Sequence, residues 1–510
     1  MAEPSSLAAL RAGCSFASLP RGFYAQVDPR PLRGPRLLHA NPDAAALIGL
    51  DAAALRSPEF LALCSGGGRL GDVPPLATAY SGHQFGVWAG QLGDGRAHLL
   101  GDVRTPGGAW EIQLKGSGRT PYSRMGDGWA VLRSSVREYL ASEAMAGLGI
   151  PTTRALALAA SDDPVVRETV ETAAVVTRLA PSFVRFGHFE HWGHSHHEQK
   201  ALLDYVVDHW YPECLETAGG EADVPATACR LLAEVTRRTA RLIAQWQLAG
   251  FCHGVMNTDN MSILGLTLDY GPYGFMDAFQ ADHVCNHSDT AGRYAWNAQP
   301  AVARWNLYRL AGSLLVLGCE APSLEACLAP FEAEFLDAYR AGLARKLGLD
   351  AWRPDDAALE DDWWNLLHAQ RAWGAAVGCT AVVIVACELA RMGFSVAILD
   401  ADPQLWISKW HERLAERAPA SLSVVPYVTA ANLGQHARKL RGEVDFLLID
   451  LPGARSPLLA QALGYSNYVL IPVQGSAMDA EGATNVIELL QYLEDRADIR
   501  IPHSVVLTRV

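Results

Sequence analysis

Apolar residues in the first third of the chain follow a spacing that predicts two strands and then a helix. The segments AHLLGDV and AWEIQLK are rich in apolar positions, and the turn between them is predicted from Thr105 to Gly108. From Trp129 to Ile150, apolar residues recur at intervals of three and four, which places them on one helix face. Gly149 predicts the end of that helix. Residues 1 to about 75 show no such period and predict an irregular arm with short helices.

A different pattern begins after residue 372. The segments AVVIVACELARMGFSVAILDADPQ, VDFLLIDLPG and YVLIPVQGSAMDAEGA predict apolar strands that alternate with helices, the arrangement of a parallel α/β sheet. A chain of 510 residues is too long for one hydrophobic core. The sequence therefore predicts two domains, residues 1–372 and residues 373–510.

Composition disfavours several classes of partner. The formal net charge of -13 argues against nucleic-acid binding, which requires a basic surface. The first residues lack the basic start and apolar core of a signal peptide, and no run of about 18 apolar residues predicts a membrane span. We therefore expect a cytoplasmic protein without a nucleic-acid or membrane partner. Its ten cysteines are scattered, which predicts reduced thiols.

The segment HGVMNTDNMSILGLTLDYG, residues 253–271, is similar to the active-site sequence of a protein kinase. His253 and Asn260 have the spacing of the kinase catalytic loop, and Asp269 begins an Asp-Tyr-Gly triplet in place of D-F-G. Val255 stands where a kinase has its catalytic Asp. The pattern predicts a metal-binding Asn and Asp without the usual base.

The upstream elements supply further kinase-like parts. Gly93 and Gly95 let the backbone approach phosphate oxygens, and Arg96 adds a cation. Lys115 ends the second predicted strand, where a kinase has the lysine that contacts phosphates and pairs with a helix carboxylate, here Glu138. Alone, a glycine loop is usually a turn, and a strand-end Lys or a helix Glu is usually solvated. In this order they predict a nucleotide site.

Longer motifs resemble the selenoprotein O family. They are YSGHQFGVWAGQLGDGRA, LKGSGRTPYSRMGDGWAVLRSS, EAMAGLGIPTTRAL, VVTRLAPSFVRFGHFE, FCHGVMNTDNMSILGLTLDYGPYGFMD and CNHSDTAGRYAWNAQPAVARWNL, and they lie between about residues 20 and 350. The resemblance implies that residues 1–372 form an α+β, protein-kinase-like domain with two lobes. It also implies a protein adenylyltransferase, which transfers AMP from ATP to Ser, Thr or Tyr hydroxyls of proteins.

The same resemblance implies roles for individual residues. Asp259 matches the family's catalytic base, and Asn260 and Asp269 match its ligands for Mg²⁺, or for Mn²⁺ in its place. ATP is expected in an orientation flipped relative to kinases, so that its α-phosphate faces the acceptor hydroxyl. The positions expected to hold ATP are Gly93, Gly95, Arg96, Lys115, Asp127, Gly128, Arg178, Arg185 and Asp269.

Alternatives stay open at this level. A protein kinase is disfavoured because Val255 cannot accept a proton, whereas a non-catalytic ATP-binding scaffold with a pseudokinase fold needs no base. Asp259 could also serve only to form a turn. The acceptor protein is not identified, and redox proteins are an expectation from the resemblance alone.

The tract with His188, His191, His194, His196 and His197 predicts a solvated loop more than a zinc site, which needs four ligands in a tetrahedral cage.

The second predicted domain resembles the ParA/MinD family of P-loop ATPases over residues 374–510. Asp400 and Asp402 match a switch region, and Asp450 matches the Walker B acid. The segment from Gly374 to Thr380 lacks both lysines of the family's phosphate loop. We therefore expect a truncated fragment that is not an active ATPase, although it could bind ParA-like partners.

Overall fold

A computed structural model describes most of the chain. The described residues are 7–218, 221–276, 279–347, 349, 351–369, 382–383, 385–387, 389–390, 392–403, 405–414, 418–451, 457–474, 486–491, 494 and 500–509. The chain divides into two units. The first comprises Met1–Gln247, Phe251–Gly274 and Val284–Leu336, and the second comprises Leu248–Gly250, Phe275–His283 and Asp337–Val510. The predicted boundary at residue 372 lies outside the described residues and stays a prediction.

An antiparallel sheet organises the first unit. Its central strand order is β2-β4-β6-β7-β10-β9-β3, with β1 paired to β6, β5 to β4 and β8 to β10. The predicted strand pair and its turn are confirmed, because β6 and β7 pair up to Thr105 opposite Gly108. The strands are β1 (Ala12–Gly13), β2 (Tyr24–Gln26), β3 (Arg36–Ala40), β4 (Leu76–Gln84), β5 (Val87–Gly93), β6 (Ala97–Thr105), β7 (Gly108–Lys115), β8 (Ala130–Val131), β9 (Arg154–Val166) and β10 (Val170–Ala180).

The predicted amphipathic helix is confirmed as α3, which ends at Gly147. Its buried Tyr139 packs with Leu158 of β9 and Val176 of β10, so the apolar stripe meets one face of the sheet. The helices up to Lys346 are α1 (Pro42–Leu47), α2 (Pro58–Cys64), α3 (Leu132–Gly147), α4 (Phe186–Trp192), α5 (His196–Trp210), α6 (Val224–Ala249), α7 (Gln299–Ser313), α8 (Ala321–Leu328) and α9 (Phe331–Lys346). Short strands are β11 (Thr217–Ala218), β12 (Glu221–Ala222), β13 (Phe251–Cys252) and β14 (Gly274–Phe275).

The N-terminal segment is more ordered than its sequence predicts. β2 pairs with β4 and β3 pairs with β9, so the expected irregular arm supplies strands of the main sheet. Side chains cap the starts of its two α-helices. The side chain of Asn41 accepts hydrogen bonds from the N–H groups of Asp43 and Ala44 in α1, and the side chain of Ser57 accepts one from the N–H of Phe60 in α2. Each helix also has Pro in its first turn, where no N–H partner is lost.

Parallel strands occur in the second unit. β15 lies between β16 and β17 with both pairings parallel, and β18 pairs in parallel with β19. The described elements are α10 (Ala357–Ala369), β15 (Val396–Asp400), α11 (Trp406–Leu414), β16 (Leu422–Val425), α12 (Leu433–Leu440), β17 (Phe446–Asp450), α13 (Pro457–Tyr465), β18 (Val469–Gln474) and β19 (His503–Arg509).

The predicted ParA-like residues are only partly described. Asp400 and Asp450 end β15 and β17 in register with one another, and Asp400 accepts hydrogen bonds from the N–H and hydroxyl of Ser408. The predicted phosphate loop, residues 374–380, lies outside the described residues. A ParA-like domain therefore stays a prediction. None of the helices in the described ranges combines the length and apolar character that a membrane crossing requires.

Candidate active site

A cavity of about 570 Å³ in the first unit collects the positions that the sequence assigns to ATP. The loop from β5 to β6, the end of β7, a residue of β10 and the segment after β7 form its walls. Every predicted ATP residue lines it: Gly93, Gly95, Arg96, Lys115, Asp127, Gly128, Arg178, Arg185 and Asp269. Its volume is in the range of small-molecule binding sites.

Ion pairs link two cations of the cavity, Lys115 and Arg178, to two carboxylates. Lys115 Nζ lies 2.6 Å from Glu138 Oε2 and also contacts Asp269. Arg178 Nη1 lies 2.9 Å from Glu138 Oε1 and 3.3 Å from Asp269 Oδ1. The pairing of β7 with β10 sets Gln113 opposite Arg178, and the two-residue repeat puts Lys115 on the same face. Glu138 on α3 therefore orients two cations at once.

Asp269 is ionised in this setting. Burial alone would raise the pKa of its carboxyl group, but the charges of Lys115, Arg178 and Arg185 outweigh burial and hold that pKa below its usual range. An ionised carboxylate is the form that binds a divalent metal. Its charge also offsets part of the positive charge that the cavity would otherwise carry without nucleotide.

Arg185 connects the cavity to the loop with Asp259. Its Nη1 donates a 2.8 Å hydrogen bond to the backbone oxygen of Asp259, and its guanidinium lies 5.0 Å from the ring of Tyr80. Its Nη2 is 4.0 Å from Asp94 Oδ1. Asp94 is in turn fixed by the N–H and hydroxyl of Thr78. Arg185 thus connects the wall of the cavity to the segment that carries Asp259.

Asp259 is nearly enclosed and incompletely hydrogen-bonded. Its Oδ2 accepts a 3.3 Å hydrogen bond from Gln84 Nε2, while the buried Oδ1 accepts none from the described residues. Burial raises the pKa of this carboxyl group to about 6, although the charge of Arg185 opposes the rise. A buried acceptor without a partner is costly, so this oxygen has capacity left for a further hydrogen bond.

β4 and α4 hold the segment Thr258–Asn260 at close range. A Cβ added at Gly82 would lie 2.9 Å from Thr258 Oγ1, and one at Gly187 would lie 2.3 Å from the backbone oxygen of Ser81. Buried Glu190 of α4 accepts hydrogen bonds from Thr258 and from His83, the latter at 2.6 Å. The segment Thr258–Asn260 is therefore held by the close approach at Gly82 and by the buried carboxylate of Glu190.

Asn260 and Val255 contact one another in the segment that follows His253. Asn260 Nδ2 donates a 2.9 Å hydrogen bond to the Val255 carbonyl, and its amide oxygen accepts none from the described residues. Val255 contributes only backbone groups, its N–H donating to Nδ1 of His253. His253 stacks on Trp246, and burial lowers its pKa to about 4, so it is neutral.

Some predicted site residues have a second role or lie elsewhere. Asp259, Asn260 and Glu138 do not line the cavity. Asp127 does, but its carboxylate forms an ion pair with Arg167 at 2.7 Å. Gly128 has φ +79, and a Cβ there would lie 2.2 Å from a Gly118 backbone atom, so glycine is needed for chain packing as well.

Sequence reasoning missed four residues that shape this region. Tyr80, Asp94 and Arg167 line the cavity, and Gln84 hydrogen-bonds Asp259. For Asp94, the sequence offered a local indication, because this residue lies between Gly93 and Gly95 in the predicted phosphate loop. The others depend on contacts that only the folded chain creates.

The histidine tract is mostly helical, so the predicted solvated loop is wrong. His188 and His191 belong to α4, and His196 and His197 begin α5. His188 is buried and accepts from the Arg185 N–H, and His191 hydrogen-bonds Ser81. Within the described ranges, no cluster of three or more His, Cys, Asp or Glu side chains could hold a metal ion.

The comparisons with known proteins agree with this geometry. The family model described as protein adenylyltransferase SelO matches residues 7–374. The chain belongs to the SelO family. The mixed α/β fold with its antiparallel sheet is consistent with the kinase-like fold of that family.

Relatives named protein nucleotidyltransferase YdiU match over most of their length. That of Bordetella petrii is 56% identical over 493 residues, covering 92% of this chain and 97% of the relative. That of Bordetella parapertussis is 64% identical, covering 89% and 94%. That of Ralstonia nicotianae is 49% identical, covering 84% and 87%. Since 92% of this chain is covered, the similarity reaches beyond residue 374, into the region of the predicted ParA-like fragment.

Proposed function

We propose that the chain transfers AMP from ATP to a hydroxyl group of a protein, with Asp259 as general base. Membership of the SelO family makes it a protein nucleotidyltransferase. In the proposed step, the acceptor oxygen bonds to the α-phosphorus, the bond to the β-phosphate breaks and pyrophosphate leaves. The proton of the acceptor hydroxyl passes to the Asp259 carboxylate.

The observation that carries this proposal is the environment of Asp259. One carboxylate oxygen is buried without a partner, the pKa is raised to about 6 by burial, and Arg185 links the residue to the cationic cavity. A base works best when its pKa is near the working pH. Val255, at the kinase base position, offers no proton acceptor on its side chain.

The residues present fit ATP and a divalent metal. Lys115, Arg178, Arg185 and Arg96 surround one cavity, as a triphosphate requires. Asp269 and the amide oxygen of Asn260 would hold Mg²⁺, which is usually bound through one or two protein ligands together with phosphate oxygens and water. When bound, the metal supplies charge neutralisation at the phosphates. Our proposal names Mg²⁺; Mn²⁺ is the second candidate.

A non-catalytic ATP-binding scaffold is the second candidate function. The observation in its favour is that Asp259 and Asn260 lie outside the lining of the cavity. We also keep two hypotheses from sequence resemblance alone: redox proteins as acceptors, and ParA-like partners for residues 373–510.

Replacement of Asp269 tests the metal assignment. Asp269→Ala removes a proposed metal ligand, so transfer of label from α-labelled ATP to protein should fall by about 100-fold or more. Asp72→Ala, which changes an exposed aspartate, is the control and should act as wild type. Full activity of Asp269→Ala with Mg²⁺ would exclude this residue as a required ligand.

A further inference from the structure

The tip of the β4–β5 hairpin, residues 84–88, lies directly beside the proposed base. Gln84 Nε2 donates to Asp259 Oδ2 at 3.3 Å, and the Phe85 N–H donates to Asn257 Oδ1 at 3.2 Å. These bonds fix the hairpin tip on the loop that carries Asp259. A protein segment that brings a hydroxyl to Asp259 would therefore lie close to this tip.

The backbone of Phe85 is held in an unusual conformation. Its φ is +51, in the left-handed region that side-chain-bearing residues rarely adopt. Its N–H also donates to the Tyr294 hydroxyl at 2.9 Å, and the two rings lie 5.2 Å apart. Such strain persists only where surrounding structure imposes it, and it is concentrated at functional sites.

The hairpin tip exposes apolar side chains. Phe85 is 42% exposed, Val87 70% and Trp88 49%. Trp88 lies 5.1 Å from the ring of His83, which lies 5.4 Å from Trp305 of α7, so the apolar surface continues onto that helix. An exposed apolar patch of this kind indicates an interaction site.

Two arginines border this surface. The guanidinium of Arg293 lies 4.7 Å from the Trp305 ring centre, and that of Arg309 lies 5.0 Å from it. Neither forms an ion pair within 4.0 Å with a carboxylate in the described part of the chain. The chain as a whole has a net charge of -13, so the two arginines form a small cationic region on an acidic protein. Buried Glu190 lies near it, since the charge of Arg309 opposes the rise that burial causes in the pKa of Glu190. Such a region favours an acidic partner.

We propose that residues 84–88, together with Trp305, Arg293 and Arg309, dock the acceptor protein. The segment bound there would carry apolar side chains and Asp or Glu residues on either side of the acceptor hydroxyl. This inference rests on the proposed function, because Asp259 must receive the proton of that hydroxyl. It adds a preference for acceptor sequence that the nucleotide site cannot provide.

The test compares two valines in matched positions. Val87→Glu places a negative charge on the hairpin tip, while Val170→Glu does so at the first residue of β10, where the side chain is 71% exposed. Two synthetic peptides with one acceptor serine serve as acceptors. In the acidic peptide Leu and Glu flank that serine, and in the basic peptide Ser and Lys flank it. The measurements are kcat and KM for peptide labelling from α-labelled ATP, and release of labelled AMP into water without peptide.

Val87→Glu should raise the KM for the acidic peptide about tenfold or more, because apolar contact is lost and like charges meet. Val170→Glu should leave that KM unchanged, and both variants should keep the wild-type rate of AMP release. Added salt should raise the KM of the wild type for the acidic peptide, since exposed charges are screened.

Three results would overturn the docking proposal while transfer itself persists. The first is an equal KM for the acidic peptide in Val87→Glu and Val170→Glu, and the second is equal use of the two peptides by the wild type. The third is a wild-type dimer, seen in sedimentation, that Val87→Glu dissociates, because the surface would then bind a second copy of the chain. If the wild type moved α-label to neither peptide nor water, the proposed function would fall and the docking proposal with it.

Discussion

Among single residues, Asp259 has the central part in the proposed transfer through its carboxyl group. Burial raises its pKa to about 6, so the group is protonated below that pH and can accept a proton only above it. We expect kcat to fall as the pH decreases through about 6, with the ionised form required for transfer. Measuring kcat from pH 5 to pH 8 with α-labelled ATP tests this decrease.

Asp259→Asn separates the base from a structural role. The amide keeps the size of the side chain but cannot take the proton, so kcat should fall by about 100-fold or more. ATP affinity, measured by calorimetry, should stay within about twofold because Asp259 does not line the cavity. Parallel loss of ATP binding and rate would instead mean that Asp259 stabilises the loop.

At the scale of secondary-structure elements, packing of β4 against the catalytic loop sets the position of Asp259. A Cβ at Gly82 would lie 2.9 Å from Thr258 Oγ1 and 3.2 Å from Asp259 Cβ, so the loop must shift in Gly82→Ala. Because small misplacements of a base are costly, we expect kcat to fall about tenfold or more. Gly147→Ala is the control, since nothing lies within 4 Å of a Cβ in that position of α3. Wild-type kcat in Gly82→Ala would show that the loop tolerates displacement.

The same scale shows which elements the sequence could predict. The β6–β7 pair and α3 were predictable because their apolar spacing and turn residues are local. β2 and β3 could not be predicted, because strands of only three and five residues have little pattern of their own and form by pairing with neighbouring strands. The contact of Gln84 with Asp259 joins residues 175 positions apart, and no local pattern encodes it.

At the scale of the whole molecule, all proposed catalytic residues belong to the first unit. A change at Asp450, which ends β17 in the second unit, should therefore leave AMP transfer unchanged. Asp450 is buried within the second unit, and we expect Asp450→Asn to keep kcat and KM for ATP within about twofold of wild type, because distant and independent sites rarely couple. A large fall in kcat in a variant that keeps its melting temperature would show that the second unit takes part in transfer.

The proposed adenylyl transfer requires attack on the α-phosphate of ATP, whereas a protein kinase transfers the γ-phosphate. The most direct measurement incubates the intact chain and Mg²⁺ with an acceptor protein and ATP labelled at one phosphate or the other. We expect only the α-label to become attached to protein, with pyrophosphate released in equal amount. Attachment of the γ-label would contradict this expectation, because the chain would then be a protein kinase despite Val255.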